Sequence, residues 1–234
     1  ATVVGVISFT NTNLTQWTAG SCAQASSVGG INQATRLCKI SSNKFALAME
    51  GDQRCAVRAF SVSGTSVSFG SRVVLDESGG GGSGQSIGYD STADRVIVSW
   101  IRPQSSGARY IGVMSHSGNY LTQQGSSHQL YSSGTAQMSW CQIGNMGGYW
   151  FLSISHSSGS NDMQVIRINS SSITEYSEGN GFANSNPYTG QFDGTTSETA
   201  GGIKFDTASG HIIRLHGYSG NILYYSSFNC FFFF

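Results

Sequence analysis

Paired strand-like runs recur along the chain at similar spacing, and this constrains the fold more than any other feature. Arg36–Ile40 precedes Lys44–Met49, Ser86–Asp90 precedes Arg95–Trp100, Ser139–Ile143 precedes Tyr149–Ile154, and Gly202–Asp206 precedes His211–His216. In each run β-branched or aromatic residues alternate with others, and Gly, Ser, Asn or Asp separates the two runs, as in a β-hairpin. Phe45, Val96, Trp150 and Ile212 fall at one repeated position. A third run follows each pair: Cys55–Ser63, Arg109–Ser117, Asp162–Asn169 and Ile222–Asn229. After the first three comes a fourth, weaker run ending near Leu75, Tyr131 and Tyr176. No segment carries a helical apolar stripe. An all-β chain is therefore expected, a β-propeller of about four antiparallel four-stranded blades with almost no helix. A single blade cannot bury both of its faces, whereas stacked blades can.

The start of the chain fits the same scheme. Val4–Ser8 followed by Asn13–Gln16 mirrors Ile111–Ser115 followed by Asn119–Gln123. One domain over 1–234 is expected, with repeats near 36–85, 86–137 and 138–199, and with 200–234 plus 1–35 completing the last. The ends are expected to close one blade within the molecule. The alternative is strand donation to a neighbouring copy, which builds a head-to-tail homo-oligomer.

Composition narrows the function. Twelve basic and 12 acidic side chains cancel, and charged residues are only 10% of the chain. That balance gives no basic excess for nucleic acid. No apolar run reaches the ~18 residues of a membrane span. The 31 Gly and 40 Ser, with Lys only at 39, 44 and 204, describe a polar, low-lysine surface of extracellular or virion type. Five Cys, at 22, 38, 55, 141 and 230, include no C-x-x-C pair, so a zinc ribbon or redox motif is not indicated. Cys22 and Cys38 are the nearest candidates for a disulfide; small buried hydrophobes are the competing reading. Asn13 and Asn169 open N-x-[S/T] sequons. The terminal Phe231–Phe234 run invites association if exposed.

Phe60–Leu75, reading FSVSGTSVSFGSRVVL, and Ile87–Val98, reading IGYDSTADRVIV, are similar to a repeat of marine phage tail-fibre-like and microbial surface proteins. That repeat runs approximately G-T-V-S-G-T-S-I-S-F-G-S-P-V-V-F, then I-A-Y-D-S-T-x-x-K-V-V-V. The likeness covers residues 60–100. It implies propeller-like blades on a virion or cell surface, and no enzyme activity or cofactor.

Motifs that carry chemistry are sparse. Gly79, Gly81 and Gly84 match G-x-G-x-x-G, but a strand follows instead of the helix a dinucleotide needs. Asp90 and Asp94 flank a turn and read as turn caps. The five His show no metal spacing, no G-x-S-x-G occurs, and no carboxylate pair stands out for glycosidase chemistry. Trp140 and Trp150 read as core. Trp100, Arg102, Arg109 and Tyr110, around the loop at 101–108, can stack on a sugar ring and bond its hydroxyls. His156, Asn161 and Asp162 flank a second loop on the same expected face, and 179–199 forms a third. The sequence thus points to a non-enzymatic surface protein without a cofactor. Its expected partner is a surface glycan or, alternatively, other subunits of a virion or extracellular filament.

Overall fold

The computed structural model describes residues 3–9, 17–24, 36–51, 54–75, 83–102, 108–131, 135–142, 148–156, 161–176, 200–206, 211–218 and 222–229. These residues are strands and tight turns, with no helix among them. Strands β1 (Val3–Phe9) and β2 (Trp17–Gln24) form a two-stranded sheet. β3 (Arg36–Lys39), β4 (Lys44–Gly51), β5 (Arg54–Ser63) and β6 (Ser66–Phe69) follow in spatial order, and β7 (Val73–Val74) also pairs with β5. The next sheet holds β8 (Ser83–Asp90), β9 (Arg95–Arg102), β10 (Ala108–Ser117) and β11 (Tyr120–Tyr131). With the sheet of β3 to β7 counted as the first and that of β8 to β11 as the second, the third holds β12 (Thr135–Gln142), β13 (Tyr149–His156), β14 (Asn161–Asn169) and β15 (Ser172–Tyr176). The last has three strands, β16 (Ala200–Asp206), β17 (His211–Tyr218) and β18 (Ile222–Asn229).

Every pairing is antiparallel between neighbours in sequence, apart from β5 with β7. Each of the four expected hairpins is present: β3 with β4, β8 with β9, β12 with β13, and β16 with β17. Phe45, Val96, Trp150 and Ile212 are each the second residue of their sheet's second strand. The first strands lie beside one another in series, β3 with β8, β8 with β12, and β12 with β16, while β1 and β2 lie beside β6.

The alternation of strand side chains explains why the central runs are so apolar. On β9, Val96, Val98 and Trp100 join Ala46, Ala48 and Val57 of the preceding sheet in one cluster. Ile97, from the opposite face, joins Trp150, Leu152 and Ile166 of the following sheet. A strand covered on both faces needs apolar residues at consecutive positions. A third cluster holds Leu47, Met49, Ala56 and Phe60, with Val4 of β1 packed against it.

In the sheet of β8 to β11, the two-residue turn between β10 and β11 lies at the end opposite to that at which residues 103–107 join β9 to β10. Two-residue turns join β5 to β6, β10 to β11 and β14 to β15, and their first residues, Gly64, Gly118 and Ser170, have φ of 57°, 57° and 45°. Left-handed backbone at this position matches the twist of a hairpin, and glycine adopts it without steric cost. Gly84, the last glycine of the G-x-G-x-x-G match, lies inside β8, so no helix follows it.

Candidate functional site

The second sheet carries the best-defined side chains at both ends. At the loop end, where residues 103–107 join β9 to β10, Tyr110 pairs with Trp100 across the two strands. Their rings stack at 5.9 Å between centroids and 19° between planes. The Arg102 guanidinium lies over the other ring of this ladder, 4.3 Å from the Tyr110 centroid. Tyr110 donates its hydroxyl to Gln129 Oε1 at 3.0 Å. Arg102 and Tyr110 are half-buried and Gln129 is exposed, so cation, aromatic ring and amide reach solvent together. Stacked guanidinium and phenol groups offer a flat apolar face edged by hydrogen-bonding groups.

Trp100 and Arg109 differ from the sequence expectation. Both are completely buried. Trp100 ends its run beside a loop, but its side chain points into the cluster shared with the preceding sheet, where Gly112 lets the indole approach the β10 backbone. Neither residue can stack on a sugar from solvent; Trp100 instead supports Tyr110 from below. Burial lowers the Arg109 guanidinium to about 9, and neighbouring Cys55 opposes the shift.

Polar atoms beneath this ladder lack partners among the described residues. Gln85 Nε2 and Oε1 and Trp100 Nε1, and also Ser99 Oγ on the opposite face of β9, are buried without a hydrogen bond. Leaving such groups unpaired costs roughly 1–3 kcal/mol each. Gln85 lies at the register shift of β8 opposite Trp100, between the Ser83–Ile101 and Ser86–Ser99 pairs. No motif in the sequence singled out Gln85 or Gln129, because only strand register brings them to this site.

His156 and Asn161 flank the next loop, at the ends of β13 and β14, and Asp162 pairs with Ile154. Their side chains lie outside the described residues, as do Asn13 and the 179–199 loop.

The turn end is built from interlocked polar contacts. Asp90 Oδ1 accepts the backbone N–H groups of Thr92 and Ala93, each at 2.9 Å, so it caps the turn as expected. Its Oδ2 accepts Trp150 Nε1 from the third sheet at 2.7 Å. Trp150 is a core residue, as the sequence indicated. Asp94, read as a second cap, instead accepts Tyr89 Oη at 2.7 Å and bonds His116 Nε2 at 2.8 Å. These two hydrogen bonds lower the Asp94 carboxyl, while burial, reinforced by Asp94, raises the Tyr89 phenol to about 12. His128 and Glu175 form a second histidine–carboxylate pair, this one between β11 and β15. Among the described residues no group of three or more His, Cys, Asp or Glu is placed to hold a metal.

Cys38 and Cys55 carry free thiols, so the expected Cys22–Cys38 disulfide is not formed. The topology accounts for this: β2, which holds Cys22, lies beside β6, whereas β3, which holds Cys38, is the opposite edge of the same sheet. Asn169 sits in a tight hairpin pair with Ser172, and its Nδ2 donates to Thr174 Oγ1 at 3.0 Å.

No family model and no curated protein matches this chain.

Proposed function

We propose that this protein is a non-enzymatic recognition module of propeller-like build, exposed on a virion or cell surface, that binds glycans through its loop end. The observation that carries this reading is the Arg102–Tyr110–Gln129 group: a stacked cation and phenol, half-exposed, with an exposed amide hydrogen-bonded beside them. Sugar rings present an apolar face and a rim of hydroxyls, which such a group complements. The serial contact of the first strands supports a propeller-like stacking of the sheets. The test is a glycan array probed with the wild type, Arg102→Ala and Tyr110→Ala. Selective binding that both variants lose, with their melting temperatures kept, supports the reading. Binding that survives both substitutions refutes it.

A second reading, a filament or virion subunit assembled by strand exchange, is favoured by the strand counts. Among the described residues β1–β2 is a two-stranded sheet and β16–β18 a three-stranded one, beside sheets of five and four strands. Light scattering separates the two: discrete monomers exclude exchange, whereas a chain that assembles, and stops when β1 is deleted, supports it.

A further inference from the structure

The Gln129 amide is held in one orientation by its neighbours. Arg102 Nη1 donates to Tyr110 Oη at 3.4 Å, and Tyr110 donates its own proton to Gln129 Oε1 at 3.0 Å. A phenol has one proton to give, so the amide oxygen faces it and the Nε2 group is turned away. A flipped amide would set a further donor against an oxygen that already receives one, and leave the phenol proton without this acceptor. Gln129 is exposed, and among the described residues its Nε2 has no acceptor. Two other glutamines of β11 use theirs within the fold. Gln123 Nε2 donates to Ser127 Oγ at 3.1 Å, and Gln124 Nε2 donates to Ser115 Oγ at 2.9 Å and to the Thr122 carbonyl at 3.1 Å. Gln129 instead presents two N–H groups to solvent beside the half-buried phenol and guanidinium.

The edge offered to a ligand is therefore rich in donors. The Nε2 group of Gln129 donates, a guanidinium only donates, and one lone pair of Gln129 Oε1 is already taken by Tyr110. A sugar hydroxyl brings a proton that needs an acceptor in return, whereas a carbonyl oxygen brings lone pairs alone. Beside these donors the phenol ring offers apolar contact. An acetamido group matches both: its carbonyl accepts, its methyl packs on the ring, and its N–H points away from the carbonyl into solvent. A carboxylate would satisfy the donors but leave the ring unused, and its charge gains little at an exposed amide. Resting on the glycan-binding reading above, we infer that the ligand is an N-acetylated sugar, its acetamido carbonyl accepting from Gln129 Nε2 and its methyl against Tyr110. Gln129 then sets the specificity, and the Tyr110 hydroxyl positions it.

The experiment is a glycan array holding pairs that differ in one 2-acetamido or 2-hydroxyl group, such as N-acetyllactosamine with lactose, together with uronate-bearing glycans. The tightest pair is then titrated by calorimetry. Wild type is compared with Gln129→Leu, which removes the amide, and with Tyr110→Phe, which keeps the ring and frees the amide to turn. Wild type is expected to prefer the acetamido member by about tenfold. Gln129→Leu is expected to abolish that preference through the acetamido member, with the hydroxyl member bound about as before. Tyr110→Phe is expected to lose part of it, about threefold. Binding without preference within the pairs, or tighter binding of the uronates, overturns the N-acetyl inference and leaves the glycan-binding reading standing. Binding of no glycan on the array overturns both. A preference that survives Gln129→Leu overturns the assignment of specificity to Gln129.

Discussion

Trp150 Nε1 donates a 2.7 Å hydrogen bond to Asp90 Oδ2, joining the third sheet to the turn of the second at a point where both side chains are buried. One carboxylate thereby caps its own turn and anchors the neighbouring sheet. Trp150→Phe keeps the ring in its cluster but leaves a buried carboxylate oxygen without this donor. The expected loss is about 1–3 kcal/mol in urea unfolding. Asp90→Ala is expected to cost more, since the two backbone N–H groups lose their acceptor as well. The double variant should be less unstable than the sum of the two, with a coupling of about 0.5–3 kcal/mol; strict additivity would show that the contact contributes nothing.

The Asp90 turn cap was legible in the sequence because it is local: Asp followed by Ser, Thr and Ala between two strand-like runs has few other uses. Its bond to Trp150 was not, since 60 residues separate the partners and only the stacking of sheets brings them together. The same distinction divides the candidate site. Arg102 and Tyr110 could be read as loop-end residues, and both reach the surface there. The direction of Trp100 depends on what covers its face of β9, and the preceding sheet does. The Cys22–Cys38 pairing failed for a related reason, because nearness in sequence says nothing about which edge of a sheet a strand occupies.

Gly70 records how closely two sheets approach. A Cβ built there would lie 1.6 Å from the backbone oxygen of Asn119, whose side chain donates to Ser61 Oγ and to the Ser68 carbonyl, each at 3.0 Å. Arg58 Nε holds the Gly70 carbonyl from the other side at 2.7 Å. Gly70→Ala therefore requires backbone to move, and is expected to cost about 3 kcal/mol or to prevent folding. Gly64→Ala meets no atom within 4 Å and pays only for its positive φ, about 1 kcal/mol. Thermal melts that rank Gly64→Ala as the worse of the two would contradict this packing.

Ser170 and Asp94 both hold left-handed backbone, at φ of 45° and 55°, yet glycine is expected to act oppositely at the two. Ser170→Gly relieves the turn and should stabilise by up to about 1 kcal/mol. Asp94→Gly relieves the same kind of strain but removes the acceptor shared by Tyr89 and His116, so no gain is expected. A matched rise in melting temperature for both would mean that the Asp94 bonds are worth nothing.

Asp94 also sets a pH dependence. Hydrogen bonds from Tyr89 and His116 hold its carboxyl below the usual 3.8, so the folded state binds this proton less readily than the unfolded chain. The stability it contributes is complete above the unfolded value and is lost as pH falls through the lower folded one. Asp94→Asn should therefore flatten the acid limb of the stability curve below about pH 4 and leave its shape near neutrality unchanged. Because Asp94 is exposed, the difference should shrink in high salt. An unchanged acid limb in the variant would rule out this role.

Cys38 offers the last test, of the topology at the first sheet's edge. Burial raises its thiol to about 12, against a smaller opposing effect of a backbone hydrogen bond to Ala46. A thiol with its pKa raised in the folded state stays protonated where the unfolded chain has begun to ionise. It therefore lowers stability progressively as pH climbs above the unfolded value of 9.0. The native thiol is expected to resist iodoacetamide at pH 8 and to react once the chain is unfolded in urea. A reductant should leave the melting temperature unaltered, since no bond to Cys22 supports the fold. A melting temperature that drops on reduction, with Cys38 reacting only afterwards, would restore the disulfide and require β2 and β3 to meet.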